Sequence, residues 1–141
     1  MSNWTHVAGV VRIDCITAFM VNKNVDFHNI FGKELDFYDD SDVWEDAEEN
    51  PSNYLPMGSE GSLKISVWEN PRDECAARYT VSIFGDLRDH DSAEEIVEWF
   101  KNKIDEIEED MENGIWIRQA CITVDNEWYR MVSWNYGEDK R

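Results

Sequence analysis

The segment Gly85-Asp86-Leu87-Arg88-Asp89-His90-Asp91 is where the chain comes nearest to a chemical site. Its three carboxylates and one imidazole are a ligand set that could hold a hard cation and, through it, activate water. A metal-assisted hydrolase built on this chain would have to use Asp86, Asp89, His90 and Asp91. Three features count against it. The order of ligands is not that of an EF-hand loop, Arg88 would neutralise part of the site, and acids just before a helix are expected because they complement its dipole.

The other residues capable of chemistry are dispersed. His6, His28 and His90 form no pair at metal-ligand spacing. Cys15, Cys75 and Cys121 are odd in number and lack a C-x-x-C, so neither a disulfide framework nor a zinc knuckle is expected, and a reduced, cytoplasmic setting is. Cys75 follows Asp73 and Glu74, whose charges disfavour a thiolate. The chain has no H-E-x-x-H, Walker-type loop, G-x-S-x-G or strand-linked G-x-G-x-x-G. The expectation is a protein that is not an enzyme, with no catalytic residue, no metal and no cofactor.

The elements that would position these residues follow from periodicity. His6 to Ile16 alternates as a strand with Val7, Gly9, Val11, Ile13 and Cys15 on its core face. Phe27, Ile30 and Phe31 mark a short helix capped by Asn24 and ended by Gly32. Leu35 and Phe37 suggest a short strand. The acid-rich stretch of about 39–61, punctuated by Pro51, Pro56 and Gly58-Ser59-Glu60-Gly61, reads as one long solvated loop.

Leu63, Ile65 and Val67, then Tyr79, Val81 and Ile83, predict a hairpin around Asn70-Pro71-Arg72-Asp73. Ser92 with Glu95 is a capping box opening a helix whose apolar positions Ala93, Ile96, Val97, Phe100, Ile104, Ile107 and Met111 run to Asn113-Gly114. Ile115–Val124 and Trp128–Asn135 predict a second hairpin. The sum is a single α+β domain over 1–141: an antiparallel or mixed sheet of about five strands with two helices packed on one face, a ferredoxin-like variant.

Charge narrows the partners. With 31 Asp and Glu against 13 Lys and Arg the net charge is −18, which repels nucleic acid and anionic membranes and attracts basic surfaces. Aromatic content of 13% is enough to build a core, so this is not the composition of a disordered chain. Met1 to His6 lacks a basic segment followed by an apolar run, and no apolar run is of membrane length, so neither export nor membrane insertion is expected.

Two surfaces stand out. The outward face of the long helix carries Glu94, Glu98, Asp105 and Glu109, joined by Asp42, Glu45 and Asp46 of the acidic stretch. Carboxylates one helical turn apart stand about 6 Å from each other, comparable with two phosphate steps of roughly 3.4 Å. Such a row either mimics a phosphate backbone or is an ordinary solvated face. The second surface is the sheet face away from the helices, where strand parity gathers Arg12, Lys64, Trp68, Arg78, Phe84, Trp116, Arg118, Trp128 and Arg130. Tryptophan and arginine are enriched at binding hot spots. Three readings of that face are open: the 39–61 loop covers it, it is a homodimer interface, or it stacks a small anionic ligand such as a nucleotide on its indoles.

Met57-Gly58-Ser59-Glu60-Gly61-Ser62-Leu63, Val67-Trp68-Glu69-Asn70-Pro71, Tyr79 through Asp89, and Asn3-Trp4-Thr5-His6-Val7-Ala8-Gly9 together resemble a pattern of small phage and prophage proteins. That resemblance implies a viral or prophage setting, in which small acidic proteins bind and block host machinery, and it implies no activity. The leading expectation is therefore a non-enzymatic binding protein, an inhibitor of the phage type that blocks the basic cleft of a host factor.

Overall fold

Alternating burial along Trp4–Cys15 makes this segment the central strand, β1, of a five-stranded antiparallel sheet in the computed structural model. The structure describes residues 2–15, 25–72, 74–90, 92–110 and 114–138. The other strands are β2 (Gly61–Glu69), β3 (Ala77–Arg88), β4 (Ile115–Asn126) and β5 (Met131–Asn135), in the order β2-β3-β1-β4-β5. The fold class is thus α+β with every strand pair antiparallel. A strand paired on both sides and buried on one face should be rich in β-branched residues with small ones interspersed, as Val7, Val11 and Ile13 around Gly9 are.

Among the described residues three α-helices accompany the sheet: α1 (Phe27–Phe31), α2 (Ser41–Glu49) and α3 (Ala93–Glu109). Ser92 caps α3 by accepting the Glu95 N–H at 3.2 Å, and the buried Ala93, Ile96, Val97, Phe100, Ile104 and Ile107 keep the predicted spacing. Met111 and Asn113 lie outside the described residues. Gly9 lets α3 come close: a Cβ there would meet the Phe100 ring at 3.3 Å. Phe100 in turn packs edge-on against Trp134 of β5, centroids 6.0 Å apart. For α1 the cap is Asp26, whose side chain accepts the His28 and Asn29 N–H groups; the predicted cap, Asn24, lies outside the described residues. Phe27 and Phe31 are buried, with Phe27 edge-on to Tyr79 at 5.1 Å.

Three sequence expectations are corrected. The 39–61 stretch is not one long loop, because Ser41–Glu49 is α2, followed by a 3-10 turn over Pro51–Asn53. Val43, Trp44 and Ala47 fall on one side of that helix and pack with Leu35, Tyr54 and Met57, which suffices to hold a helix whose other residues are acidic. No strand forms at Leu35 and Phe37: Leu35 joins this small cluster, while Phe37 is exposed in a turn. Finally, β4 continues to Asn126 and β5 begins only at Met131, so Trp128 and Arg130 belong to the turn between them. Among the described residues no helix is long and apolar enough to cross a membrane.

Candidate functional site

Among the described residues, aromatic side chains on one face of the sheet remain exposed. The 51–57 segment does not lie over it: Tyr54, Leu55, Pro56 and Met57 line a hollow with Ile96 and Trp99 of α3, and Leu55 is buried in the main core. Of the three readings of this face, covering by the 39–61 stretch loses its support over residues 51–57. Trp68, Phe84 and Trp116 stand 54%, 45% and 39% exposed, and Ala8 of β1 is exposed between the flanking strands.

Cations are distributed unevenly over this face. Arg12 lies across β1, donating to Gln119 Oε1 on β4 at 3.1 Å and to Thr80 Oγ1 on β3 at 3.3 Å, both neutral partners. Arg118 pairs with Asp14 at 3.0 Å, and Lys64 reaches Glu34 at 3.2 Å. Arg78 is not a face residue. It sits at the register shift between β1 and β3, its side chain only 16% exposed, and clamps the β2–β3 connection through Glu69 at 2.6 Å and the Asn70 carbonyl at 2.9 Å. Of the predicted set, Arg12, Trp68, Trp116 and Arg118 come together on the open face, whereas Arg78, Trp128 and Arg130 do not.

Arg130 instead reaches the acidic helix from the β4–β5 turn. Its guanidinium pairs with Glu94 at the start of α3, with Nε 2.7 Å from Oε1, and this hydrogen bond holds the Glu94 carboxyl below its ordinary pKa. Glu98, Asp105 and Glu109 are exposed along the same helix, opposed by Lys101 on Glu98 at 3.5 Å and Lys103 on Glu106 at 3.7 Å. Asp42 and Glu45 are exposed on α2. Asp46 is engaged: it accepts the Tyr54 hydroxyl at 2.6 Å and the Asn50 amide at 3.0 Å, and chiefly the former lowers its pKa.

The 85–91 constellation is taken apart by strand alternation. Asp86 faces the open side and accepts His6 Nδ1 at 2.7 Å, while Leu87, its neighbour, is buried in the core. His6 Nε2 meets Glu127 at 3.1 Å, so the imidazole is held between two carboxylates, and those hydrogen bonds, Asp86 first, raise its pKa. Asp89 accepts the Ser59 hydroxyl at 2.7 Å. The His90 carbonyl takes the Thr5 hydroxyl at 2.6 Å and the Asn126 amide at 3.3 Å. Asp91 lies outside the described residues. Among the described residues no three His, Cys, Asp or Glu side chains gather as a metal site. Burial also pushes the Cys15 thiol up to about 11, so it is no nucleophile at neutral pH.

Two features escaped the sequence reading. One is a buried polar network in which Asn126 donates to Thr5 Oγ1 at 2.8 Å while its Oδ1 accepts the N–H groups of Trp128 and Tyr129, both at 3.0 Å. It presents Trp128 and Tyr129, 55% and 69% exposed, on a fixed turn. The only signal was Asn126 itself, an Asx-turn residue between two strands. The other is the hollow of about 250 Å³ where Trp99 and His90 face Pro51, Tyr54 and Pro56. Its two prolines are visible in the sequence, but their contact with α3 is not.

No family model matches the chain, and no curated protein or solved structure matches it.

Proposed function

We propose that this chain is a non-enzymatic binding protein whose acidic helical side occupies the basic, nucleic-acid-binding cleft of a protein partner, in the manner of a phage-type inhibitor acting in the cytoplasm of its host. The observation that carries the proposal is the row Glu94, Glu98, Asp105 and Glu109, exposed together along α3. Neighbouring members of the row stand one turn apart, except Glu98 and Asp105, which stand two turns apart, on a regular helix, so the charges are presented in fixed order along one side. The exposed Asp42 and Glu45 of α2 add to the same field. The strand order β2-β3-β1-β4, with helices in the β1–β2 and β3–β4 connections, supports a ferredoxin-like frame to which β5 is added.

A second reading rests on the open sheet face. Trp68, Phe84 and Trp116 lie on a face that the 51–57 segment leaves uncovered, which favours self-association through a two-fold contact. Arg12, whose hydrogen-bonded partners are both neutral, leaves a positive charge there for a small anion as the competing occupant.

The test of the leading reading is the quadruple variant Glu94→Gln, Glu98→Gln, Asp105→Gln, Glu109→Gln. Binding to a heparin-retained basic protein should weaken with added salt, over a Debye length of about 10 Å at 0.1 M, and should be lost in the variant while its circular dichroism is unchanged. Equal affinity of variant and wild type would overturn the proposal.

A further inference from the structure

The hollow between the 51–57 segment and α3 has the make-up of a receptor for one charged side chain. Its walls are Trp99, Tyr54, Pro51 and Pro56, rigid rings that lose little freedom when a guest is bound. Its volume of about 250 Å³ accommodates one long side chain and no drug-sized ligand. Among the described residues Glu95 is the one carboxylate on its rim, an exposed residue in the first turn of α3, flanked on the helix by Glu94 and Glu98. Neither Lys33 nor Lys103 lines the hollow: Lys33 stands over the ring of its Tyr54 wall at 5.7 Å, and Lys103 reaches the Ser52 carbonyl at 3.4 Å. Two buried ring nitrogens at the hollow, His90 Nδ1 and Trp99 Nε1, have no hydrogen-bond partner among the described residues. A hollow with aromatic and proline walls and a negative rim, on a chain of net charge −18, selects a cationic guest.

We propose that this hollow binds an arginine side chain of the basic partner, the guanidinium stacking on the Trp99 indole and forking to the Glu95 carboxylate. Arginine fits better than lysine because its planar head stacks on a ring and offers paired donors to a carboxylate, while its aliphatic stem packs on the prolines. The inference rests on the basic-partner reading and deepens it: the acidic row supplies long-range attraction, and the hollow supplies a single register-setting contact.

The experiment uses the full chain labelled with nitrogen-15 and follows the Trp99 indole N–H, assigned by its disappearance in Trp99→Phe. N-acetyl-arginine methylamide should shift this resonance saturably, the neutral isostere N-acetyl-citrulline methylamide should not, and Glu95→Gln should weaken the arginine response roughly tenfold, as expected for loss of a charge-assisted hydrogen bond. The response should persist in the quadruple α3 variant, which keeps Glu95. A Trp99 resonance that does not move, or that moves equally with citrulline or in Glu95→Gln, overturns the hollow. If hexa-arginine still binds the wild type by calorimetry in that case, the acidic-surface reading stands without it.

Discussion

The two faces of the sheet are built from the same five strands, yet they answer to different physics. On the covered face Val11, Ile13, Ile83 and Ile122 are 1% exposed or less and belong to the same core cluster as Phe100 of α3. Removal of apolar surface from water accounts for every large residue there, at roughly 25 cal/mol per Å² buried. On the open face Trp68, Phe84 and Trp116 remain 39–54% exposed, so burial within this chain explains them only in part. The acidic side of α3 shares that property, since exposed carboxylates contribute little to folding. The contrast separates residues that the fold needs from residues that it merely carries, and the second group is where a function must be sought.

The contrast breaks most sharply at Phe100. Phe100→Ala should cost about 3–5 kcal/mol, because the ring is fully buried against Trp134 and the Gly9 region and little can collapse into its place. A lower urea midpoint with an unchanged slope is the expected record. Trp116→Ala on the open face should cost less, about 1–2 kcal/mol in the same assay, because the indole is 39% exposed. If the open face is a two-fold interface, the same variant should weaken association about thirtyfold, the effect of removing an anchoring ring worth about 2 kcal/mol, and sedimentation at micromolar concentration would record the monomer. Equal destabilisation by the two substitutions would mean that the faces do not differ.

The smallest effect is expected at His6. Its pKa is raised in the folded chain by Asp86 and Glu127, so the folded state holds the proton more tightly than the unfolded one. The resulting stabilisation is complete below the unfolded value of about 6.5 and is lost as pH rises through the folded one. Because the ring and both carboxylates are about half exposed, solvent screening keeps the contribution small. Unfolding midpoints measured from pH 5 to 8 should show wild type losing more stability than His6→Gln over that rise. Parallel curves would show that the pair of contacts contributes nothing.

The acidic 39–49 run illustrates what was hidden. Its helix rests on three apolar residues, Val43, Trp44 and Ala47, and their value depends on Leu35 and Tyr54 being nearby, a fact with no trace in local composition. The sheet-face set failed in part for a related reason. Parity arguments assume unbroken strands, and the register shift beside Asp14 together with the late start of β5 removed Arg78, Trp128 and Arg130 from the face. Arg12, Trp68, Trp116 and Arg118 survived because they lie where pairing with the neighbouring strand holds the predicted alternation or keeps the side chain exposed.

What the chain's order of residues determined by itself was local: the period-two burial of β1, the period-3.6 face of α3, the Ser92 cap and the sign of the field. The first three depend on neighbours within a few residues, where backbone geometry leaves little choice, and the last is a sum over composition. Only the tertiary structure decided that Arg130 reaches Glu94, that His6 lies between Asp86 and Glu127, and that the prolines of 51–56 face Trp99. These contacts join residues 36 to 121 positions apart or separate elements, and they form only when strand order and register have brought distant segments together.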